Sequence, residues 1–208
     1  MHAAIKQTNR KAPIPSGDGY PTENNALHPY VLIRQEKYAR MKLTMKSLII
    51  LFSYHHNNTQ KIAEAMAKVL GAQIKSPQET SPEDLNRYDL VGFGSGIYSY
   101  RHHTSLLDLA DNLPQVTNRK AFVFSTTGVP IAFGESSVTK ALEQHKPLKE
   151  KLQSKGYVIV DEFICAGFNT NSFLRLFGGI NKNRPNAEDF KHAEDFAQNL
   201  KQNLERTH

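Results

Sequence analysis

The sequence predicts an α/β protein in which helices cover both faces of a doubly wound parallel sheet. Short apolar segments alternate along the chain with stretches in which apolar residues recur at helical spacing. The run Leu48–Phe52 is apolar without alternation, as expected of a strand that is covered on both faces. The connections are short, and strict alternation of strands with helices places the strands parallel to one another.

Five strands follow from the apolar runs. The first ends in a polar loop that opens directly into a helical pattern. The predicted strands are Leu48–Ser53, Ala72–Lys75, Tyr88–Gly94, Lys120–Ser125 and Tyr157–Cys165. In a parallel sheet of this kind, a ligand binds beyond the carboxyl ends of the strands, where the strand order reverses.

Four helices and one helical turn lie between these strands. The predicted helices are Thr59–Leu70, His103–Asn112, Ser137–Ser154 and Ala187–Asn203, with a turn of helix at Pro82–Arg87. Pro147 is expected to break the third helix near its middle, because proline removes a backbone donor. Gly71 and Gly156 are placed where helices commonly end.

Residues 1–46 differ in composition from the rest of the chain and are expected to form a flexible, disordered or loosely docked extension. They contain six prolines and glycines, namely Pro13, Pro15, Gly17, Gly19, Pro21 and Pro29. They also hold +5 of the net charge of +6, so residues 47–208, the predicted domain, are close to neutral. This distribution argues against nucleic acid as a partner, because no basic and aromatic strand pattern supports it.

The bulk properties restrict the class of protein further. The apolar runs near the start are far shorter than a membrane span, and the polar amino terminus has no secretion signal. The single cysteine, Cys165, excludes an internal disulfide and a multi-cysteine metal site, and an inert buried thiol is the simplest interpretation. We expect a cytoplasmic protein without a membrane span or a metal centre.

Three loops should meet at the carboxyl end of the sheet: Ser53–Thr59, Gly94–His103 and Ser125–Gly134. The first offers hydroxyls, amides and a helix amino terminus, which together favour a phosphate. It lacks the lysine of a Walker loop and the glycines of a dinucleotide fingerprint. Glycines and tyrosines in the second loop suit a flat ring, so the three loops together favour a phosphorylated planar heterocycle such as FMN.

Four motifs, in order, make the chain from about Ser47 to Asn203 resemble the flavodoxin family, especially its short members. They are S-Y-H-H-N-N-T at Ser53–Thr59, G-S-G-I-Y…R-H-H-T-S-L-L at Gly94–Leu107, F-V-F-S-T-T-G at Phe122–Gly128 and G-G-I-N-K-N-R-P-N at Gly178–Asn186. The resemblance implies a flavodoxin-like fold with five strands that binds FMN noncovalently and carries electrons. Asn57 replaces the glycine usual in the first motif, and asparagine tolerates the left-handed conformation.

The resemblance also implies which residues bind the cofactor. The phosphate would be held by Ser53, His55, Asn58 and Thr59. The ring would lie between Ser95, Gly96, Ile97 and Tyr98 on one side and Ser125, Thr126, Thr127 and Gly128 on the other.

Three functions remain open from the sequence. An FMN-binding electron-transfer protein without a catalytic side chain is the first. An FMN-dependent NAD(P)H:quinone-type oxidoreductase is the second, and a flavin-free binding module on the same fold is the third. The partner would be a redox protein or an NAD(P)H-linked reductase. The cluster Arg101, His102 and His103 has no carboxylate until Asp108, and it could attract an acidic redox partner or a nicotinamide phosphate.

Overall fold

The computed structural model describes residues 45–128 and 135–206. The predicted extension, residues 1–46, therefore lies almost entirely outside the described residues, as does most of the third predicted loop. The strands in the described part are β1 (Ser47–Phe52), β2 (Gln73–Lys75), β3 (Leu90–Tyr98), β4 (Arg101–His102), β5 (Arg119–Thr127) and β6 (Tyr157–Ala166).

Five of these strands form one parallel sheet in the order β2-β1-β3-β5-β6. The chain adds strands first on one side of β1 and then on the other, so the order reverses beside β1. This arrangement confirms the predicted doubly wound α/β fold with five parallel strands. The carboxyl ends of β1, β3 and β5 lie side by side, as the prediction of a shared ligand site requires.

The prediction of a loop at Gly94–His103 is partly wrong, because much of this segment belongs to the sheet. Strand β3 continues to Tyr98, and β4 folds back on it in an antiparallel pair that the sequence did not predict. Ser95 pairs with Phe52 on one side and with Ser125 on the other, so backbone pairing on both sides holds this segment extended. The glycines around Ser95 obscure this in the sequence, because glycine has low strand propensity.

The helices pack on both faces of the sheet. They are α1 (Asn58–Leu70), α2 (Thr104–Asp111), α3 (Glu135–Leu142), α4 (Lys146–Ser154) and α5 (Ala187–Arg206). The predicted helix Ser137–Ser154 is in fact two helices joined by a 3₁₀ turn at Glu143–His145. Pro147 lies in the first turn of α4, where its missing N–H breaks no helical hydrogen bond. The helical turn Pro82–Arg87 is confirmed as a 3₁₀ helix, and further 3₁₀ turns span Pro77–Glu79 and Ser172–Phe177.

Two apolar cores lie on opposite faces of the sheet. Helices α1 and α5 cover one face, with Ile62 and Met66 fully buried against β1 and β5. Helices α2 and α4 cover the other face, where Leu106 and Leu148 are fully buried. Burial on both faces explains why β1 reads as a continuous apolar run.

A β-bulge changes the alternation of side chains along β6. The pairing with β5 moves from Ala121 opposite Ile159 to Phe122 opposite Asp161, so one extra residue is inserted in β6. Beyond the bulge, Glu162 lies opposite Val123 and faces the α4 side of the sheet. The bulge thereby places a carboxylate beneath the ligand end of the sheet.

Candidate functional site

The loop between β1 and α1 adopts a left-handed turn. His56 has φ 54° and Asn57 has φ 52° and ψ 31°, so Asn57 adopts the conformation that glycine usually supplies in this loop. Asn57 is the residue before α1, and its side chain makes no capping hydrogen bond. At the start of α1 the Asn58 N–H donates to the His55 carbonyl and the Gln60 N–H to Ser53, which leaves the Thr59 N–H and the positive end of the helix dipole to favour an anion.

Hydrogen bonds fix this loop against the neighbouring strands. The Ser53 hydroxyl accepts a hydrogen bond from the Gln60 N–H at 3.2 Å. The hydroxyls of Thr59 and Thr126 are 2.8 Å apart and buried, which ties α1 to the end of β5. The Asn58 side-chain N–H donates to the Phe168 carbonyl at 2.8 Å. Thr59 is thus oriented by a neighbouring strand and does not act as an ordinary helix cap.

These residues line a pocket of about 50 Å³ at the carboxyl ends of β1, β3 and β5. Ten of the twelve predicted cofactor residues lie in its wall, namely Ser53, His55, Asn58, Thr59, Gly96, Ile97, Tyr98, Thr126, Thr127 and Gly128. The volume is large enough for a small anion such as a phosphate group.

The other two predicted residues, Ser95 and Ser125, do not line the pocket. Both are completely buried on the α4 side of the sheet, one residue behind the pocket wall in each strand. Alternation along an extended strand explains this placement, because Gly96 and Thr126 face the pocket side. Ser95 is hydrogen-bonded to Nδ1 of His102 at 2.9 Å, and Ser125 to Nε2 of His145 at 2.7 Å.

The two histidines form a buried polar pair behind the pocket. Their ring centroids are 4.9 Å apart, and both side chains are almost completely buried. Burial, and secondarily the neighbouring His145, holds the pKa of His102 well below its ordinary value, so this ring is neutral. The Ser95 hydroxyl donates to the Gly96 carbonyl, so the His102 Nδ1–H donates to Ser95 and Nε2 carries the lone pair.

His145 is connected to the surface through a carboxylate. Its Nδ1–H donates to Glu162 at 3.0 Å, and Lys149 donates to the other carboxylate oxygen at 2.5 Å. Burial opposes the charged form of Glu162, but the hydrogen bonds from His145 and Lys149 outweigh it and hold the carboxyl pKa below its ordinary value. Ser125, His145 and Glu162 are bonded in the order of a hydrolase triad. Ser125 is completely buried within β5, however, so no substrate can reach it and the arrangement is structural.

Tyr98 separates the pocket from a wider hollow of about 480 Å³. The hollow is lined by Phe52, Tyr54, Tyr98, Ser99, Arg101, His102, His103 and Thr104. The His103 ring stacks on Phe52 with centroids 3.5 Å apart and planes within 7°. Burial raises the pKa of the Tyr98 hydroxyl and lowers the pKa of His103, so both are neutral at pH 7.

The loop after β6 completes the pocket, and its role was left open by the sequence. Phe168, Asn169 and Asn171 lie in the pocket wall. Thr170 is hydrogen-bonded to Nε2 of His56 at 2.8 Å, which ties this loop to the first one. The run of asparagines and threonine at 169–171 is a signal that could have been noticed, because these side chains both donate and accept hydrogen bonds.

Other chemistry is limited in the described part of the chain. Cys165 is buried at the end of β6, and burial raises the pKa of its thiol, so it is unreactive. Residues 45–128 and 135–206 contain no cluster of His, Cys, Asp and Glu that could hold a metal ion. None of the helices described in these ranges has the length and apolarity needed to cross a membrane.

The fold and the pocket together define a doubly wound α/β protein with a polar pocket at the carboxyl edge of its sheet. The chain belongs to the flavodoxin domain family, whose model matches residues 49–165. An uncharacterized protein of Methanocaldococcus jannaschii is 46% identical over 159 residues, which cover 76% of this chain and all of that protein.

Solved structures share the fold at low sequence identity. Flavodoxin 2 from Bacillus cereus has a TM-score of 0.54 and 16% identity, covering 76% of this chain and 99% of that one. General stress protein 14 from Treponema denticola, solved in complex with FMN, has a TM-score of 0.50 and 12% identity, covering 78% and 99%. At these identities the likeness supports the fold alone.

Proposed function

We propose that this protein binds FMN noncovalently and carries electrons through it as a flavodoxin-type electron-transfer protein. The observation that carries the proposal is the pocket at the start of α1, where the helix amino terminus and the hydroxyls of Ser53, Thr59 and Thr126 converge beside Tyr98. Membership of the flavodoxin family and the FMN complex of the Treponema denticola protein support the same cofactor.

The residues present fit FMN in two respects. The Asn58 side-chain oxygen is buried in the pocket wall with no hydrogen-bond donor among the described residues, and a sugar-alcohol hydroxyl of FMN is a suitable donor. Glycines also stand in the pocket wall, where any side chain would press on the neighbouring groups that shape the pocket. A Cβ on Gly128 would lie 2.4 Å from the Asn169 side chain, and one on Gly96 would lie 3.1 Å from the Tyr98 hydroxyl.

The residues of the pocket would divide between the phosphate and the ring of FMN. The start of α1 with Ser53, His55, Asn58 and Thr59 would hold the phosphate, and Gly96, Ile97 and Tyr98 would flank the ring together with Thr127 and Gly128. When bound, FMN supplies the redox chemistry, since its ring accepts and releases electrons. The aromatic side chains Phe52, Tyr98 and His103 pack together and would exclude water from one side of the ring. The electron partner would be a redox protein or an NAD(P)H-linked reductase.

The test compares FMN with riboflavin, which lacks the phosphate. Fluorescence titration should show FMN binding at least a hundredfold more tightly than riboflavin, because the anion site recognises only the phosphate. Thr59→Ala should weaken FMN binding about tenfold and leave riboflavin binding nearly unchanged. A loss of one charge-assisted hydrogen bond has this magnitude.

Thr117→Ala is the matched control, because Thr117 is exposed in the connection before β5, at the opposite end of the sheet. Its FMN affinity should equal that of the unaltered protein. Equal affinity for FMN and riboflavin, or failure to bind either, would contradict the proposal.

A further inference from the structure

The loops around the pocket contain no carboxylate. We call residues 53–57, 99–103 and 167–186 the rim, since they follow β1, β3 and β6 at the carboxyl edge of the sheet. The rim has no Asp or Glu in its sequence but contains Arg101, Arg175, Lys182 and Arg184. The connection 128–134, which also follows a strand at this edge, has none either. The rim is therefore positive, although the domain as a whole is almost neutral.

Two of these cations are available to a partner. Arg184 forms a salt bridge with Asp189 of α5 and is neutralised by it. Arg101 and Lys182 are exposed, and neither forms a salt bridge in the described part of the chain. Arg101 lies on the β3–β4 hairpin, whose Tyr98 lines the pocket, and Lys182 lies on the loop after β6, whose Asn169 also lines it.

Large apolar side chains are also concentrated on the rim. Tyr54, Tyr100, Leu176 and Phe177 are between 73% and 84% exposed. The described ranges contain two further exposed large apolar residues, Val138 and Val158. Both lie outside the rim and are less exposed, at 37% and 45%. Aromatic residues and arginine are enriched in protein interfaces, and a concentration of exposed apolar side chains on one surface marks an interaction site more often than scattered single ones do.

The turn that presents Tyr100 is strained. Ser99 and Tyr100 have φ values of 50° and 63°, a left-handed conformation that is unfavourable for a bulky residue such as tyrosine. The hairpin formed by β3 and β4 holds this conformation and directs Tyr100 into solvent. Strain of this kind is commonly retained where a residue has a role in binding.

The wider hollow lies within the rim. It has a volume of about 480 Å³, and Tyr54 and Arg101 lie in its wall. Aromatic walls with a single arginine suit a protruding side chain that carries a carboxylate. The hollow is separated from the proposed FMN pocket only by Tyr98, which lines both. A partner seated here would therefore come close to the cofactor.

We propose that the rim docks an acidic redox protein, whose carboxylates pair with Arg101 and Lys182 around an apolar contact at Tyr54, Tyr100 and Leu176. The partner in electron transfer is thus negatively charged at its contact face. Electron transfer to the docked protein rests on the proposed function, because it requires bound FMN. The docking itself does not require FMN. Without carboxylates the rim is positively charged, and opposite charges steer two proteins into a productive encounter. A positively charged rim therefore favours an acidic partner.

Native cytochrome c and its lysine-succinylated form provide a matched pair of probes, one basic and one acidic with the same haem. The FMN-loaded protein is reduced with dithionite and mixed with each ferric cytochrome, and each haem takes up one electron to become ferrous. At low ionic strength the succinylated form should react at least ten times faster than the native form. Added salt should slow the succinylated form and accelerate the native one.

The double variant Arg101→Gln/Lys182→Gln should reduce the rate with succinylated cytochrome c about tenfold and flatten its salt dependence. The control Lys68→Gln/Lys201→Gln removes the same charge from the far ends of α1 and α5 and should leave the rate unchanged. FMN affinity should be the same in all of these proteins. A faster reaction with the native, basic cytochrome would overturn the inference.

Docking is also measured without the cofactor, which separates this inference from the proposed function. Titration of the flavin-free protein with succinylated cytochrome c at low salt should show binding by calorimetry, weakened at least fivefold in Arg101→Gln/Lys182→Gln. Binding that is equal in that variant and in the lysine control would overturn the inference. Concentration-dependent dimerisation that is abolished by Tyr100→Ser would also overturn it, by assigning the rim to a second copy of the chain.

Discussion

The buried pair of His102 and His145 is the feature at the residue scale that ordinary sequence reasoning does not anticipate. Arg101, His102 and His103 are consecutive in the sequence, and three basic residues in a row suggest a solvated cationic cluster. The structure separates them by the alternation of a two-residue strand, which exposes Arg101 and buries His102. His102 contacts Ser95 and the ring of His145, and beyond His145 lie Glu162 and Lys149. A neutral histidine in such a place makes stability depend on pH.

Replacing His102 with Asn should reduce the loss of stability in mild acid. The folded pKa of His102 is depressed, so the unfolded chain binds a proton below about pH 6.5 that the folded chain does not. Stability is therefore present above pH 6.5 and falls as the pH is lowered. Between pH 7.5 and pH 5, the unaltered protein should lose about 2 kcal/mol more than His102→Asn, as measured by urea unfolding at both values.

Asn is chosen because its side chain can keep a hydrogen bond to Ser95 at the position of Nδ1. His192→Asn is a control at an exposed site on α5 and should leave the pH dependence unchanged. Parallel stability curves for His102→Asn and the unaltered protein would contradict a neutral buried imidazole.

At the scale of elements, the sequence predicts most of the framework because both faces of the sheet are buried. The apolar run of β1 and the helical period of α1 are strong signals, and their observed ends differ from the predictions by one residue. The end of β3 and the whole of β4 are different. The glycines and polar residues there do not predict a strand. The end of β3 is held extended by pairing with β1 and β5 and not by its own composition. Likewise, no local pattern separates Gly96, which faces the pocket, from Ser95, which faces the histidines.

The glycines of β3 have a packing role that can be tested. The Phe124 ring of β5 lies across Gly94, and a Cβ at that position would be 2.1 Å from the ring. Gly94→Ala should therefore destabilise the protein by about 1–3 kcal/mol in urea unfolding, because the ring must move within a closely packed core. Gly94→Ala combined with Phe124→Leu should be destabilised by less than the sum of the two single changes. Strict additivity of the two would show that the ring is not the obstacle.

At the scale of the whole molecule, residues 47–208 account for the described cores and for the pocket wall. The buried residues of the two described clusters begin at Leu48 and Ile49, with Met45 packed against the second, and the family match begins at residue 49. The Methanocaldococcus jannaschii protein is matched over its full length by 159 residues of this chain. A complete relative therefore corresponds to the flavodoxin domain alone. The basic residues concentrated in positions 1–46 lie outside the stretch that the family model matches.

A shortened chain that begins at Met41 should consequently fold and bind FMN as the full chain does. The midpoint of urea unfolding should be unchanged, and FMN affinity should agree within a factor of two, because every pocket residue in the described part of the chain is retained. Removal of residues 1–40 eliminates much of the positive charge, so the salt dependence of the reaction with succinylated cytochrome c provides a second measurement. Because the rim and not the amino-terminal segment is proposed to steer the acidic partner, that salt dependence should persist in the shortened chain and disappear when Arg101→Gln/Lys182→Gln is added. A shortened chain that fails to fold would assign residues 1–40 to the domain, and one that folds but loses the salt dependence would assign the steering charge to them.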